Sequence, residues 1–163
     1  MSLTQHGLDV LKAFEKCRLT AYQDQGGSGV WTIGWGHTGA EVGPGLQWDQ
    51  EHADEVLVDD LAHFVAGVSR LLTQGAIARL TGDQFSSLVL LAFNIGLSHF
   101  GSSSVLRFTN AGMPEQAAEA FLMWTRLRGP DGALRPSDGL LRRRQAEVAL
   151  WRGQAALSEA LPA

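Results

Sequence analysis

Residues 15–38 read EKCRLTAYQDQGGSGVWTIGWGHT, and the change of rhythm inside them decides the fold. LTAYQ (19–23) is short and alternating, DQGGSG (24–29) is turn-rich, and VWTIGW (30–35) is strand-like, so the stretch predicts a β-hairpin. Upstream, residues 3–16 place Leu8, Leu11 and Phe14 at helical spacing, with Thr4 as N-cap. Downstream, Gly34, Gly36, Gly39, Gly43, Pro44 and Gly45 predict a loop-rich segment. From Asp49 the period is helical again, with Ala53, Leu57, Leu61, Phe64, Val68 and Leu71 on one stripe. Asp54, Glu55, Asp59 and Asp60 fall mainly off it, as in a long helix joining two lobes.

Farther along, Thr81-Gly82-Asp83-Gln84 has capping-box spacing and opens an apolar helix ending near Ile95, with Gly96 as its stop. Apolar nearly all round, that helix is expected at the buried centre of the larger lobe. Further helices are predicted over about 104–110, 114–124 (Pro114 near N1) and 140–151, the last ending at Gly153. The fold class is therefore α+β and mainly α, a single domain over residues 1–163. Within it a small hairpin lobe takes about 18–48. A helical lobe takes about 60–153 plus the N-terminal helix, and residues 154–163 form a tail without an obvious anchor.

Composition narrows the function. With 163 residues, 45% of them hydrophobic and 18% charged, the chain can bury a continuous core. Cys17 is its only cysteine, which excludes an internal disulfide and favours a packing role for that thiol. The N-terminus is interrupted by Gln5, His6, Asp9 and Lys12, unlike a signal peptide, and no run reaches the roughly 18 apolar residues of a membrane span. Stable membrane insertion is not expected. Residues 1–60 carry ten acids and three bases (−7) and the remainder seven acids and ten arginines (+3), which sums to −4. The run Arg142-Arg143-Arg144 is either a solvated helix face or part of a basic surface toward an anionic polymer such as a cell wall. A pI near 5.7 excludes the strongly basic class of nucleic-acid binders. Five histidines are present without H-E-x-x-H, so neither a metal nor a cofactor is expected.

Glu15 is predicted at the end of the first helix, Asp24 at the end of the first strand and Thr32 within the second. A helix end and two hairpin strands can gather those side chains around one cleft. A carboxylic acid, a carboxylate and a hydroxyl that holds water are the equipment of a glycosidase, although the spacing by itself is weak evidence. The surroundings carry more. E-x-x-R-L-x-A-Y-x-D from Glu15 to Asp24, followed by GVWTIGWGHT at 29–38, resembles the lysozymes of double-stranded DNA phages, glycoside hydrolase family 24. QFSSLVLLAFNIG (84–96), SSSVLRFTNAG (102–112), AAEAFLMW (117–124) and GLLRRRQAE (139–147) continue the resemblance along nearly the whole chain.

The resemblance implies a two-lobed lysozyme-like fold and hydrolysis of peptidoglycan glycan strands. The bond cleaved would be the β-1,4 link from N-acetylmuramic acid to N-acetylglucosamine, broken by direct water attack with inversion. Glu15 would be the general acid, Asp24 the residue that helps activate water, and Thr32 its hydrogen-bonding partner. By the same resemblance Thr38, Phe93 and Ser104 line the saccharide groove, although core packing is the better single reading of Phe93. His37 is expected to hydrogen-bond and support its lobe, and Arg142 to pair with Glu15 or lie on the surface. The implied setting is a monomer in the host cytoplasm that acts on the periplasmic wall after a holin opens the membrane. A secreted antibacterial effector, a non-catalytic wall-binding module and a zinc-dependent wall amidase are the competing readings. Two departures stand out: Lys16 where the family often has Gly, and a loop between Asp24 and Thr32 about two residues longer than in many relatives.

Overall fold

A computed structural model describes residues 1–23, 29–129 and 131–154. The N-terminal helix, α1 (Gln5–Phe14), starts behind Thr4, whose hydroxyl accepts from the Gly7 N–H as an N-cap should. It is shorter than the predicted span because Glu15 is already in extended backbone, with φ −90° and ψ 123°. Thr4 also ties the helix start to a distant part of the chain. Its N–H donates to Ser86 Oγ at 3.0 Å and its hydroxyl to Asp83 Oδ1 at 2.6 Å.

The predicted hairpin forms from β1 (Arg18–Gln23) and β2 (Trp31–Gly34), antiparallel, with Tyr22 opposite Thr32 and Gln23 opposite Trp31. An irregularity between Arg18 and Tyr22 shifts the register, as a bulge does. The other edge of β1 takes up the returning chain, where Ala21 N–H donates to Leu46 O and Trp48 N–H to Leu19 O, both at 2.9 Å. Ala21, Ile33 and Val42 form a small core of their own, with Trp31, Leu46 and Trp48 packed around it. Gly34 suits its place twice over. Its φ is +63°, and a Cβ there would lie 2.9 Å from the Trp48 ring.

Beyond the hairpin, α2 (Gln50–Leu71) begins at Asp49, whose carboxylate caps the His52 N–H at 2.8 Å. Ala53, Leu57, Leu61 and Val68 are buried on its stripe, whereas Leu71 is exposed. The helix stops there, and Leu72 just past the end takes the inward place. Two short helices were not foreseen: α3 (Gln74–Arg79) behind the Thr73 cap, and α5 (Leu97–Gly101). Between them lies α4 (Gly82–Ile95), with both halves of the Thr81–Gln84 capping box formed and Gly96 at φ 85° ending it. Residues 85–92 are buried without a break, so α4 is the central helix of the larger core.

Around it stand α6 (Ser104–Asn110), α7 (Pro114–Phe121, with Pro in the first turn) and α8 (Asp138–Trp151). A second hairpin, β3 (Arg126–Arg128) with β4 (Leu134–Pro136), precedes α8. Every residue of these two strands is exposed, so no apolar alternation announced them. The architecture is mainly helical with a small antiparallel hairpin near the N-terminus, as the sequence predicted, and the second hairpin is an addition to that expectation. Of the expected tail, 154–163, all but Gln154 lies outside the described residues, as does Asp24.

Candidate active site

Glu15 occupies the C-cap of α1, where its backbone N–H still donates to Leu11 O at 3.0 Å. The cap fixes where the side chain leaves the helix, and the carboxyl is 23% exposed, open to a ligand on one side. Its partner is Arg143, whose Nη1 donates to Glu15 Oε1. Of the two expectations for Arg142, the pairing with Glu15 falls to Arg143 and the surface position holds, since Arg142 lies exposed on α8. Successive residues of a helix point about 100° apart, so only one of three adjacent arginines can face α1. Lys16, the departure noted in the sequence, is also exposed.

Behind Arg143 the network continues inward. Arg143 Nε donates to Glu147 Oε1 at 3.2 Å, and Arg144 Nη2 donates to the same oxygen at 2.9 Å. Arg144 Nη2 also reaches Asn94 Oδ1 on α4 at 2.8 Å. The side chains of Arg144 and Glu147 are fully buried and that of Arg143 is 8% exposed. Burial penalises each charge here, pushing the Glu147 carboxyl up against the pull of Arg144 and Arg143, and the Arg144 guanidinium down. Two guanidinium donors converging on one oxygen fit the carboxylate form of Glu147. The burial of Arg143 and Arg144 corrects the reading of the arginine run as a solvated face or basic surface, which holds only for Arg142, and Glu147 carries no expectation from the sequence. The signal was present: residues 143, 146, 147 and 150 fall on one helical stripe, and all four are buried.

Thr32 is buried to 7% on β2, and its hydroxyl donates a long bond, 3.4 Å, to Val30 O. Asp24, next after Gln23 in the sequence, lies outside the described residues. Thr38 is exposed. Phe93 packs against the main core and meets Phe64 edge-on, with ring centroids 5.1 Å apart. Ser104 opens α6 and borders a cavity of about 340 Å³ shared with Ser102, Ser103, Arg107 and Asn110.

His37 joins the loop after the first hairpin to the long helix. Its Nδ1 faces Asp60 at 2.9 Å, its Nε2 faces Glu41 at 2.8 Å, and its ring tilts against Trp48 at 5.5 Å. Partial burial works against the imidazolium, but the bonds to Glu41 and Asp60 outweigh it and raise its pKa above the ordinary value near 6.5. A raised folded-state pKa stabilises fully below that ordinary value, and the gain is lost as pH rises through the folded value. His37→Gln is therefore expected to lower Tm by about 2–4 °C near pH 6 and by much less near pH 9. Thermal melts of both proteins across that range check it; a constant deficit would contradict it.

Nearby, Asp54 is the other junction. Lys12 Nζ, Trp35 Nε1 and Gln50 Nε2 all donate to it, at 2.9, 2.6 and 2.9 Å. The bond from Lys12 above all holds its carboxyl below the ordinary range despite some desolvation. The junction also fixes the Trp35 ring, with Lys12 Nζ 5.2 Å from its centroid.

The sequence and the fold both match known proteins. The phage lysozyme family model covers residues 12–147. The chain belongs to the phage lysozyme family. It is similar to the endolysin of Bacillus phage B103, 36% identical over 151 residues, or 93% of this chain and 54% of that one. It is similar also to the endolysin of Salmonella phage P22, 37% identical over 155 residues, covering 93% and 98% of the two chains. Among solved structures, the muramidase domain of SpmX from Asticaccaulis excentricus superposes with a TM-score of 0.83. That match has 36% identity and covers 92% of this chain and 97% of that one. The chain thus spans about half the length of the Bacillus phage endolysin and nearly all of the P22 one.

Proposed function

We propose that this chain is a muramidase of the endolysin type, which hydrolyses the glycan strands of bacterial peptidoglycan. The observation that supports it best is Glu15 held at the end of α1 by Arg143, in a chain matched by the phage lysozyme family from residue 12 to residue 147. Glu15 gives its proton to the glycosidic oxygen as the bond from C1 to that oxygen breaks. A water oriented by Thr32 attacks C1 from the opposite face and passes its proton to Asp24, which inverts the anomeric centre. Arg143 then faces the carboxylate that Glu15 has become, and solvent resets both acids. In this reading Thr38, Phe93 and Ser104 line the saccharide groove, and His37 supports the hairpin. The bond is the β-1,4 link from N-acetylmuramic acid to N-acetylglucosamine. The setting is a monomer released to the periplasmic wall from the host cytoplasm by a separate pore-former.

The purified chain should solubilise isolated sacculi at the same rate with or without a chelator. Activity abolished by chelation and restored by zinc would instead favour an amidase. Thr32→Ala is expected to slow clearing by about 100-fold and to lower Tm by only a few degrees, since it removes the hydroxyl that orients water together with a single methyl group. An unchanged rate would remove Thr32 from the mechanism.

A further inference from the structure

The buried group under Glu15 has a composition that packing does not call for. Arg143 offers two edges of one guanidinium to two carboxylates, Nη1 to Glu15 and Nε to Glu147. Arg144 shares Glu147 and is tied to Asn94. Several atoms there, Arg143 Nη2, Arg144 Nε and Nη1, and Glu147 Oε2, have no hydrogen-bond partner among the described residues. Apolar side chains of similar volume would fill the space at lower cost. The charges that face Glu147 are Arg143 and Arg144 from α8 and Glu15 from the end of α1, while α4 contributes the neutral Asn94.

These four ionisable groups form a balanced set. With Glu15 ionised, two cations meet two anions; with Glu15 protonated, one positive charge is in excess. Without Glu147 that excess would double, and the protonated form of Glu15 would be harder to hold beside Arg143. We propose that Glu147 is a positioning residue for the reaction: it divides the charge of Arg143 between itself and Glu15, and so sets the pH at which Glu15 gives up its catalytic proton. It rests on Glu15 being the acid, as proposed above. Arg144 acts in the opposite sense, because it draws part of the Glu147 charge away from Arg143.

The two residues therefore predict displacements of opposite sign. In E147Q, which keeps shape and removes charge, the alkaline limb of the pH profile for sacculus clearing should move to lower pH by about one unit. In R144Q it should move to higher pH by a comparable amount, and in the double variant E147Q/R144Q it should return close to wild type. Profiles at constant ionic strength, with a thermal melt of each variant, provide the test. A merely structural role lowers the rate at all pH values and leaves the limb in place; that result, or both single variants moving the same way, overturns the proposal. If E147Q does not fold, R144Q decides by itself: an upward limb supports the proposal, and a fixed or downward one overturns it. Glu15→Gln separates the two levels. Retained activity there sinks the acid assignment, whereas an inactive Glu15→Gln with unmoved limbs in the others sinks only the role of Glu147.

Discussion

Glu15→Gln is expected to reduce sacculus hydrolysis by about 10³-fold while shifting Tm little. The substitution preserves volume and removes only the transferable proton, and general acid catalysis of this kind is worth roughly 10²–10⁴-fold. Stability should survive for a local reason. The glutamine carbonyl can still accept from Arg143 Nη1, and Arg143 keeps Glu147 as a second partner. The loss is then that of one charge-assisted bond at a partly exposed position, on the order of 1 kcal/mol. Turbidity clearing and a thermal melt on the same preparation check both halves. An inactive protein that has also lost its melting transition would say nothing about catalysis, so the pairing of the two readouts matters.

The second large effect is structural. Leu88→Ala should cost about 3 kcal/mol and lower Tm by roughly 10 °C. Leu88 is fully buried midway along α4, between the equally buried Phe85 and Leu91, in a stretch with no exposed face. Truncation there removes contacts and leaves a cavity that neighbours on α2 and α8 cannot readily close, since both helices pack against α4. Chemical denaturation with the midpoint and slope measured separately checks it. A loss below about 1 kcal/mol would mean that α4 is not the centre of the core.

Much of this arrangement was legible in the sequence where a local signal and a global role coincide. The Thr81–Gln84 capping box and Gly96 bracket α4 because caps are set by neighbours in the chain. The alternation of LTAYQ and VWTIGW gave the first hairpin, since one face of it covers Ile33 and Ala21. The second hairpin, 126–136, was missed because its three-residue strands bury nothing, although Gly129, Asp131 and Gly132 mark a turn. α3 and α5 are too short for a period to register.

At the site, Glu15 and Thr32 could be nominated by motif, but their partners depend on helix phase and on contacts distant in sequence. Arg143 lies 128 positions from Glu15, and a run of three arginines conceals which one faces inward. The apolar stripe through Ala146 and Leu150 resolves it, and it places Glu147 on the buried face too. Asp60 as the partner of His37 followed a similar pattern: the long helix was predicted, and the acid was set off its apolar stripe without a role.

The most direct test of the glycosidase assignment is mass spectrometry of the fragments that the purified chain releases from isolated sacculi. Disaccharide-peptides ending in a reducing N-acetylmuramic acid are the predicted product, with one oxygen taken from labelled water per cut. Anhydro-muramic ends lacking that oxygen, or free peptides with intact glycan, would contradict hydrolysis of the sugar chain by Glu15 and its partners.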